Sequence, residues 1–267
     1  MSLPHRTLFL SHGGGPLPLL GDAAHQSLLD AWRRMAAGLP RPSAILVISA
    51  HWEMPAFTVT AAAQPPLLYD YYGFPEAAYR ITYPCPGQSA LAQAVQAALL
   101  RAGLPAQQDR QRGLDHGVFV PLKILYPDAS IPCVQLSLHQ SLDPAWHLAA
   151  GRALATVEHD GLLVVGSGFS FHNMRAFMEP IGSEAATHNQ AFEQWLVDTC
   201  CNPALDDAAR TARLVQWADA PGARYCHPRE EHLLPLHVCY GVAQNRCTQH
   251  QRLTVLNRQC SQYGWNL

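Results

Sequence analysis

Residues 44–51 read Ala-Ile-Leu-Val-Ile-Ser-Ala-His, an aliphatic run that ends in small residues and a histidine. Such a run, rich in β-branched residues, predicts a buried strand. Similar runs recur along the chain, and together they predict strands at 7–11, 44–50, 57–61, 133–138, 162–166 and 253–256.

Helical patterns separate these runs. They predict helices at 23–37, 89–102, 118–126, 144–159, 183–200, 206–217 and 230–243. Strands that alternate with helices are typical of a largely parallel sheet covered by helices. We therefore predict an α/β fold with three layers, α/β/α, around a mixed, largely parallel sheet. No linker interrupts the 267 residues, so we expect one catalytic domain spanning 1–267.

Composition narrows the class of partner. Hydrophobic residues make up 48% of the chain and charged residues 14%, which indicates a packed globular protein. The net charge is −2 and no basic run occurs, so a nucleic-acid partner is not expected. A small molecule is the more plausible partner.

Targeting and cysteine usage suggest a compartment. The apolar stretches near the start are too short to cross a membrane, and no targeting pattern precedes them, so we expect a cytoplasmic protein. The eight cysteines form no Cys-x-x-Cys motif. In a reducing compartment most of them should be small buried thiols rather than disulfides or metal ligands.

Histidines recur at or just after the ends of four predicted strands: His12, His51, His139 and His172. Ligands of open α/β sheets collect at the carboxyl ends of the strands, where residues distant in sequence converge. One histidine alone is simply interpreted as a hydrogen-bonded group at the sheet edge. The recurrence favours a site for a divalent metal, with His12 and His51 as the first two ligands.

Three further segments carry candidate residues. Gly13-Gly14-Gly15 fits neither phosphate-binding nor dinucleotide-binding spacing, but it leaves room for a substrate beside His12. In residues 113–118, Asp115 is either an N-cap or the partner of a pocket-lining His116, and the two readings are even. In residues 226–237, Glu231 and His232 are expected at the start of a helix, while His227 and His237 also have a capping or surface interpretation.

A long segment, residues 64–87, contains five prolines and five tyrosines. Proline cannot donate to a sheet and tyrosine offers a large packing surface, so the segment is predicted to be an ordered loop. Ordered loops of this length are usually functional. Tyr71 and Tyr72 are the candidates for covering a bound ring, although packing alone is the stronger explanation for any single tyrosine.

Taken in order, these segments resemble class III extradiol ring-cleavage dioxygenases of the LigB superfamily, close to the 4,5-DOPA dioxygenase group. The resemblance spans nearly the whole chain. Its motifs are Ser11-His12-Gly13, Ile48-Ser49-Ala50-His51-Trp52, Asp70-Tyr71-Tyr72-Gly73-Phe74-Pro75, Tyr83-Pro84-Cys85-Pro86-Gly87, Gly113-Leu114-Asp115-His116-Gly117, Val134-Gln135-Leu136-Ser137, Gly166-Ser167-Gly168 with His172-Asn173, and Glu231-His232-Leu233-Leu234-Pro235-Leu236.

The resemblance implies a set of roles. His12, His51 and His232 would bind one divalent metal, His172 would be the acid/base residue, and His116 would line the same pocket. Glu231 stays a rival third ligand, because one branch of the superfamily uses a glutamate there. Tyr71, Tyr72 and Gly14 are the expected substrate contacts.

The implied reaction opens the ring of a catecholic, DOPA-like substrate with O2 and gives a muconic semialdehyde. Fe(II) is the expected working metal, and Zn(II) would also fit a three-histidine site. Two alternatives remain open at this point, a zinc-dependent hydrolase and a non-catalytic metal-binding protein. No nucleic acid or membrane is expected as a partner, and the chain is expected to be a monomer or a homodimer.

Overall fold

Across residues 4–180 and 183–267, which the computed structural model describes, eight strands form one mixed sheet. They are β1 (Arg6–Ser11), β2 (Ala44–Met54), β3 (Phe57–Thr60), β4 (Ala106–Asp109), β5 (Cys133–His139), β6 (Leu162–Gly168), β7 (Gln249–Val255) and β8 (Arg258–Trp265). Their order across the sheet is β4-β3-β5-β2-β6-β1-β8-β7.

The centre of the sheet is parallel. Strand β2 pairs in parallel with both β5 and β6, and β6 also pairs in parallel with β1. The antiparallel pairs lie further out, where β3 meets β5 and where β8 joins β1 to β7. The prediction of a mixed, largely parallel sheet is thus confirmed, and the central strands end at the same edge.

Helices cover both faces of the sheet. They are α1 (Gln26–Gly38), α2 (Ser89–Arg101), α3 (His116–Leu125), α4 (Pro144–Leu154), α5 (Glu184–Cys201), α6 (Asp207–Val215), α7 (Ala223–Cys226) and α8 (Leu234–Ala243). Alternate residues of β2 enter two separate cores: Ile45 and Val47 join one, and Leu46 and Ile48 the other. This alternation is what a three-layer α/β/α arrangement requires.

Two predicted helices have different limits in the structure. The helix expected at 144–159 ends at Leu154. The helix expected from residue 230 begins only at Leu234, with Pro235 in its first turn, where a residue without an N–H is tolerated. Glu231 and His232 therefore lie in the turn before α8, outside the helix that we expected to carry them.

The strand predicted at 253–256 corresponds to β7, which forms a hairpin with β8. Strands β7 and β8 are joined by Leu256 and Asn257, both with positive φ, as a tight two-residue turn requires. Strand β8 has the polar sequence Arg-Gln-Cys-Ser-Gln-Tyr-Gly-Trp, so hydrophobic patterning did not reveal it. Strand β4, Ala-Gln-Gln-Asp, escaped prediction for the same reason.

Six of the eight cysteines are free and buried, in line with the prediction that most are small buried thiols. The remaining two, Cys201 and Cys247, form a disulfide between the end of α5 and the segment before β7. No spacing motif predicts this pair, because the two cysteines lie 46 residues apart in the sequence.

Candidate metal centre

The parallel strands carry His12 and His51 to one edge of the sheet. His12 directly follows β1, and its backbone N–H donates to the carbonyl of Gly168 at the end of β6, 2.9 Å away. His51 lies within β2, where the pairing with β5 shifts register between Ile48 and Glu53. That irregularity frees His51 from a regular ladder position beside β5.

The turn before α8 brings His232 to the same place. The carbonyl oxygen of His232 accepts a hydrogen bond from Phe169 N, which follows β6. A Cβ atom at Gly168 would lie 2.1 Å from that carbonyl oxygen, so the close approach requires glycine. The Gly-Ser-Gly motif at the end of β6 thus admits the segment that carries His232.

Five imidazoles meet here, and we call them the histidine cluster: His12, His51, His116, His172 and His232. The ring centre of His12 lies 4.9 Å from that of His51, 5.5 Å from that of His116 and 5.3 Å from that of His232. His51 and His116 are 3.9 Å apart, and His172 stacks on His232 at 3.4 Å. The structure therefore brings together all five histidines that the resemblance implied.

Hydrogen bonds indicate where the protons of three rings lie. Ser167 Oγ donates to the carbonyl of Gly117, so it accepts from Nδ1 of His12 at 3.0 Å. Nδ1 of His116 donates to Asp70 Oδ1 at 2.8 Å, and Nδ1 of His232 lies 2.9 Å from Glu231 Oε1. With Nδ1 carrying the hydrogen, Nε2 of a neutral ring keeps its lone pair for a ligand.

Burial keeps the two central histidines neutral. Burial first, and then the neighbouring histidines, lower the pKa of both His12 and His51 well below the ordinary value of 6.5. The pKa of His232 falls to about 3 by burial and by His172, against the opposing effect of Glu231. Neutral imidazole is the form that binds a cation.

The cluster fits a metal ion. Nitrogen ligands lie about 2.0–2.1 Å from zinc, so two of them are roughly 3 Å apart at a right angle and roughly 3.4 Å apart at the tetrahedral angle that zinc prefers. Nε2 of His12 and Nε2 of His51 are 3.0 Å apart. In the described part of the chain, two groups have ligand atoms close enough to hold an ion: His12, His51 and His116, and His172, Glu231 and His232.

Two carboxylates flank the cluster. Asp70 Oδ1 accepts from both the backbone N–H and Nδ1 of His116. Burial raises the pKa of Asp70, but the hydrogen bonds from His116 outweigh it and the net pKa lies below its usual range. Glu231 has the same balance: burial raises its pKa, while His172 and His232 hold it well below its usual range. Both groups are therefore anionic acceptors.

Asp115 is the N-cap residue of α3, one of the two interpretations considered for it, but its side chain accepts no hydrogen bond from the helix. The fully buried carboxylate instead accepts from Ser49 Oγ at 2.7 Å, from Gln135 Nε2, and from Arg112 Nη2 at 3.2 Å. These hydrogen bonds connect β2, β5 and the segment that leads into α3. Asp115 thus helps to hold in place the elements that carry the cluster.

The predicted substrate contacts separate in the structure. The ring of Tyr71 lies 5.8 Å from that of His116, and its hydroxyl donates to the carbonyl of Ala78. Gly14 also lies near His12, but its N–H donates to Nε2 of His25 and is not free for a ligand. The side chain of Tyr72 is 92% exposed, so the structure does not bring it to the cluster.

Three other histidines have structural surroundings. His139 bonds to Ser141 and packs 4.6 Å from the ring of Trp146. His227 is buried and bonds to the carbonyl of Ser170, and His237 bonds to the carbonyl of Leu214. None of these three belongs to either metal-capable group found among the described residues.

Sequence reasoning missed three supporting residues. Asp70, Ser167 and His25 received no role, because each acts on a partner that only the fold identifies. Asp70 lies 46 residues from His116, and Ser167 lies 155 residues from His12. Asp70 and Ser167 do fall within the motifs that carried the family resemblance, which was the one available signal.

Comparisons with known proteins show the family to which the chain belongs. The family model described as the catalytic LigB subunit of aromatic ring-opening dioxygenase matches residues 1–264.

No helix in the described ranges is long and apolar enough to span a membrane.

Curated relatives include dioxygenase tasH of Hapsidospora irregularis, 41% identical over 88% of this chain and 76% of that protein. Two proteins named 4,5-DOPA dioxygenase extradiol also match. The one from Escherichia coli K12 is 37% identical over 86% of this chain and 82% of that protein, and the one from Beta vulgaris is 35% identical over 89% and 86%.

A crystal structure of an uncharacterized protein from Escherichia coli K12 has the same fold, with a TM-score of 0.78 and 30% identity over 98% of this chain and 100% of that one. This neighbour and the relatives match nearly the full length over which the sheet and the cluster are built. The chain therefore belongs to the LigB family of aromatic ring-opening dioxygenases and is an extradiol ring-cleavage dioxygenase.

Proposed function

We propose that the chain, acting as one catalytic domain, opens the ring of a DOPA-like catechol with O2 to a muconic semialdehyde. The observation that carries the proposal is the 3.0 Å separation of the His12 and His51 Nε2 atoms, with three further histidines around them. The substrate class follows from the names of three relatives, each a 4,5-DOPA dioxygenase extradiol.

His12, His51 and His232 are the proposed ligands of one Fe(II) ion per chain. Nδ1 of His12 and of His232 is bonded to a protein acceptor, which leaves Nε2 for the ion. Three neutral imidazoles also suit Zn(II), so the metal that copurifies need not be the working one. When bound, the ion would lower the pKa of the catechol hydroxyls and hold the diol beside O2.

His172 and His116 are the proposed proton-transfer residues. Each has Nδ1 against a carboxylate, Glu231 for His172 at 3.1 Å and Asp70 for His116 at 2.8 Å. The hydrogen bond to Asp70 orients the His116 ring and favours its lone pair on Nε2. The proposed role of either ring is to take a hydroxyl proton from the catechol and return it later. We assign the main role to His172 and an assisting role to His116.

Tyr71 and Gly14 are the proposed substrate contacts. The ring of Tyr71 packs beside His116 and offers an apolar edge for the catechol, and Gly14 follows His12 by two residues and has no side chain. Burial first, and then Tyr69 and Asp70, raise the pKa of Tyr71 to about 12, so its hydroxyl stays protonated and bonded to Ala78. Tyr72 is left out of the proposed site because its side chain is exposed.

The test is anaerobic loading with Fe(II), followed by oxygen-electrode assays with DOPA, caffeate and protocatechuate. We expect oxygen uptake and a yellow product with at least one of these catechols. The zinc-loaded protein is the matched control and should consume no oxygen. If the zinc form turns over a substrate without oxygen uptake while the iron form is inert toward every catechol, the proposal is wrong.

A second assay decides whether His232 or His116 is the third ligand beside His12 and His51. If His232 is the third ligand, His116→Ala should still bind one metal ion per chain by elemental analysis, whereas His232→Ala should not. The reverse pattern would assign the site to His12, His51 and His116. Size-exclusion chromatography with light scattering on the same samples distinguishes between a monomer and a homodimer, the two states expected for the chain.

A further inference from the structure

A buried histidine outside the cluster contacts the segment that follows His12, which we call the glycine loop (residues 13–15). The backbone N–H of Gly14 donates to Nε2 of His25 at 2.9 Å, and Nδ1 of His25 lies 2.6 Å from Asp22 Oδ2. The side chain of His25 has no exposed surface. Gly14, His25 and Asp22 thus form one hydrogen-bonded chain that starts two residues after His12.

The direction of the first hydrogen bond fixes the tautomer of His25. A backbone N–H can only donate, so Nε2 of His25 must carry the lone pair, and Nδ1 of the neutral ring carries the hydrogen. That hydrogen is donated to the carboxylate of Asp22. Burial lowers the pKa of His25 below the ordinary value of 6.5, against the opposing effect of Asp22, in line with a neutral ring. Asp22 therefore favours the form of His25 that can accept from Gly14.

His25 also packs against the glycine loop. A Cβ atom at Gly13 would lie 2.7 Å from Cδ2 of His25, so the imidazole ring occupies the space that a side chain would need there. Gly13 and Gly15 have φ values of 84° and 54°, which glycine adopts without strain. Glycine also loses the most conformational freedom on folding, so a run of three needs contacts from outside to hold one conformation.

The glycine loop meets the aromatic residues beside the cluster through its last residue. A Cβ atom at Gly15 would lie 3.4 Å from Cζ of Phe74. The ring of Phe74 lies 5.4 Å from that of Tyr71, which in turn lies 5.8 Å from that of His116. The loop therefore contacts His25 through its first two residues and the proposed substrate pocket through its third.

We propose that His25, oriented by Asp22, is a positioning residue for ring cleavage, because it holds the glycine loop in the conformation that leaves room for the substrate beside His12. The proposal deepens the proposed function and rests on it for the identity of the catechol. His12 has anchors of its own in Gly168 and Ser167. Loss of His25 should therefore weaken substrate binding and leave metal content unchanged.

The first test uses the metal-free protein without substrate. Long-range ¹H–¹⁵N spectra of histidine-labelled protein report which ring nitrogen carries the hydrogen, and amide exchange reports the protection of the Gly14 N–H. We expect an Nδ1–H tautomer for His25 and a protected Gly14 amide. An Nε2–H tautomer, or a Gly14 amide that exchanges as in an unfolded chain, would overturn the proposal without any variant.

Variants then test the consequence for the substrate. His25→Gln keeps an acceptor for Gly14 in its amide oxygen, whereas His25→Leu has none. His25→Leu should raise the KM for DOPA, and its Kd in anaerobic titrations of the Zn²⁺-loaded protein, by about 3- to 10-fold, which corresponds to one net hydrogen bond. His25→Gln should restore most of this affinity, and kcat should stay close to that of the wild type. Unchanged affinity in both variants, or an equal loss in both, would contradict the proposal.

Asp22→Ala tests the same chain at a partly exposed residue if His25→Leu does not fold. It should let His25 adopt both tautomers and raise the KM in the same direction. A His25 that stays entirely Nδ1–H, with an unchanged KM, would show that Asp22 does not orient it and would contradict the proposal.

His147 offers a matched control. It is fully buried, its Nε2 accepts from the backbone N–H of His139 at 3.2 Å, and its Nδ1 donates to the carbonyl of Asp143 at 2.7 Å. His147→Leu should leave the affinity for DOPA unchanged, and an equal loss there would contradict a specific role of His25. If the His25 variants change affinity as predicted while the Fe(II)-loaded protein opens no catechol, this inference stands and the proposed function is refuted.

Discussion

At the residue scale, three of the five clustered histidines have Nδ1 hydrogen-bonded to a protein acceptor. Ser167 accepts from His12, Asp70 accepts from His116, and Glu231 accepts from His232. Buried imidazoles without such partners would cost free energy and could adopt either tautomer. The acceptors therefore prepare a set of lone pairs before any ligand arrives.

Two alanine substitutions should separate metal binding from proton transfer. His12→Ala should lose the metal, because it removes one of the two nitrogens that lie 3.0 Å apart. His172→Ala should retain the metal but lose about 100-fold or more in turnover, the usual contribution of a general acid–base residue. Elemental analysis and steady-state assays check both. Full activity of His172→Ala on a catechol would refute its assigned role.

Glu193 should make stability depend on pH. It is fully buried on α5, where Ser261 Oγ donates to it, and burial raises its pKa to about 7 from an ordinary value of 4.5. Below pH 4.5 the carboxyl is protonated in both states. As the pH rises, the Glu193 carboxyl ionises first in the unfolded chain. The free energy of unfolding therefore falls up to about pH 7, by on the order of 3 kcal/mol.

The check is a comparison of Glu193→Gln with the wild type. Glutamine keeps an acceptor for Ser261 but does not titrate. We expect the difference in unfolding free energy to shift in favour of the variant between pH 4.5 and 7, and to be constant above that range. A difference that is independent of pH would show that Glu193 titrates normally in the folded protein.

The sequence predicted the clustered histidines better than their supports. A histidine after an apolar run can be recognised from the local sequence, so strand ends pointed to His12, His51 and His172. They also pointed to His139, which lies outside the cluster. The family motifs added His116 and His232. Asp70 and Ser167 act on rings distant in sequence, and only the fold joins them. Tyr72 illustrates the opposite limit, since sequence cannot tell which of two adjacent tyrosines faces the site.

At the scale of elements, the site depends on how closely the turn before α8 approaches the end of β6. Gly168→Ala would place a Cβ atom 2.1 Å from the carbonyl of His232. We expect a loss of about 1–3 kcal/mol in unfolding free energy, the usual cost of an overpacked position, together with weaker metal binding.

Gly38→Ala is the control for that substitution, because a Cβ atom there meets nothing within 4 Å. It should leave both stability and metal content close to those of the wild type. Chemical denaturation and elemental analysis check the pair. If Gly168→Ala binds metal as the wild type does, the close approach does not position His232.

Elements with a clear hydrophobic period were predictable, and polar ones were not. The four central strands and most helices lie close to their predicted ranges, because their apolar residues face the two cores. Strands β4 and β8 are rich in glutamine and were missed. The start of α8 was predicted too early, because a favourable acidic turn at residues 230–231 resembles a first helical turn.

At the scale of the whole molecule, metal binding should stabilise the fold. The proposed ligands come from the end of β1, from β2 and from the turn before α8, so unfolding would disperse them. A ligand that binds only the folded state at 100 times its dissociation constant adds about 2.7 kcal/mol to the unfolding free energy. Thermal unfolding with and without Zn²⁺ should show this gain in the wild type, and His12→Ala should show none.

The proposed function requires that both atoms of O2 enter the opened catechol ring. A single turnover of the Fe(II)-loaded protein with DOPA under ¹⁸O-labelled O2, followed at once by mass spectrometry, measures this directly. We predict a ring-opened product heavier than DOPA by one molecule of the labelled gas. A product that carries oxygen from water alone, or an unopened quinone, would refute the proposed function.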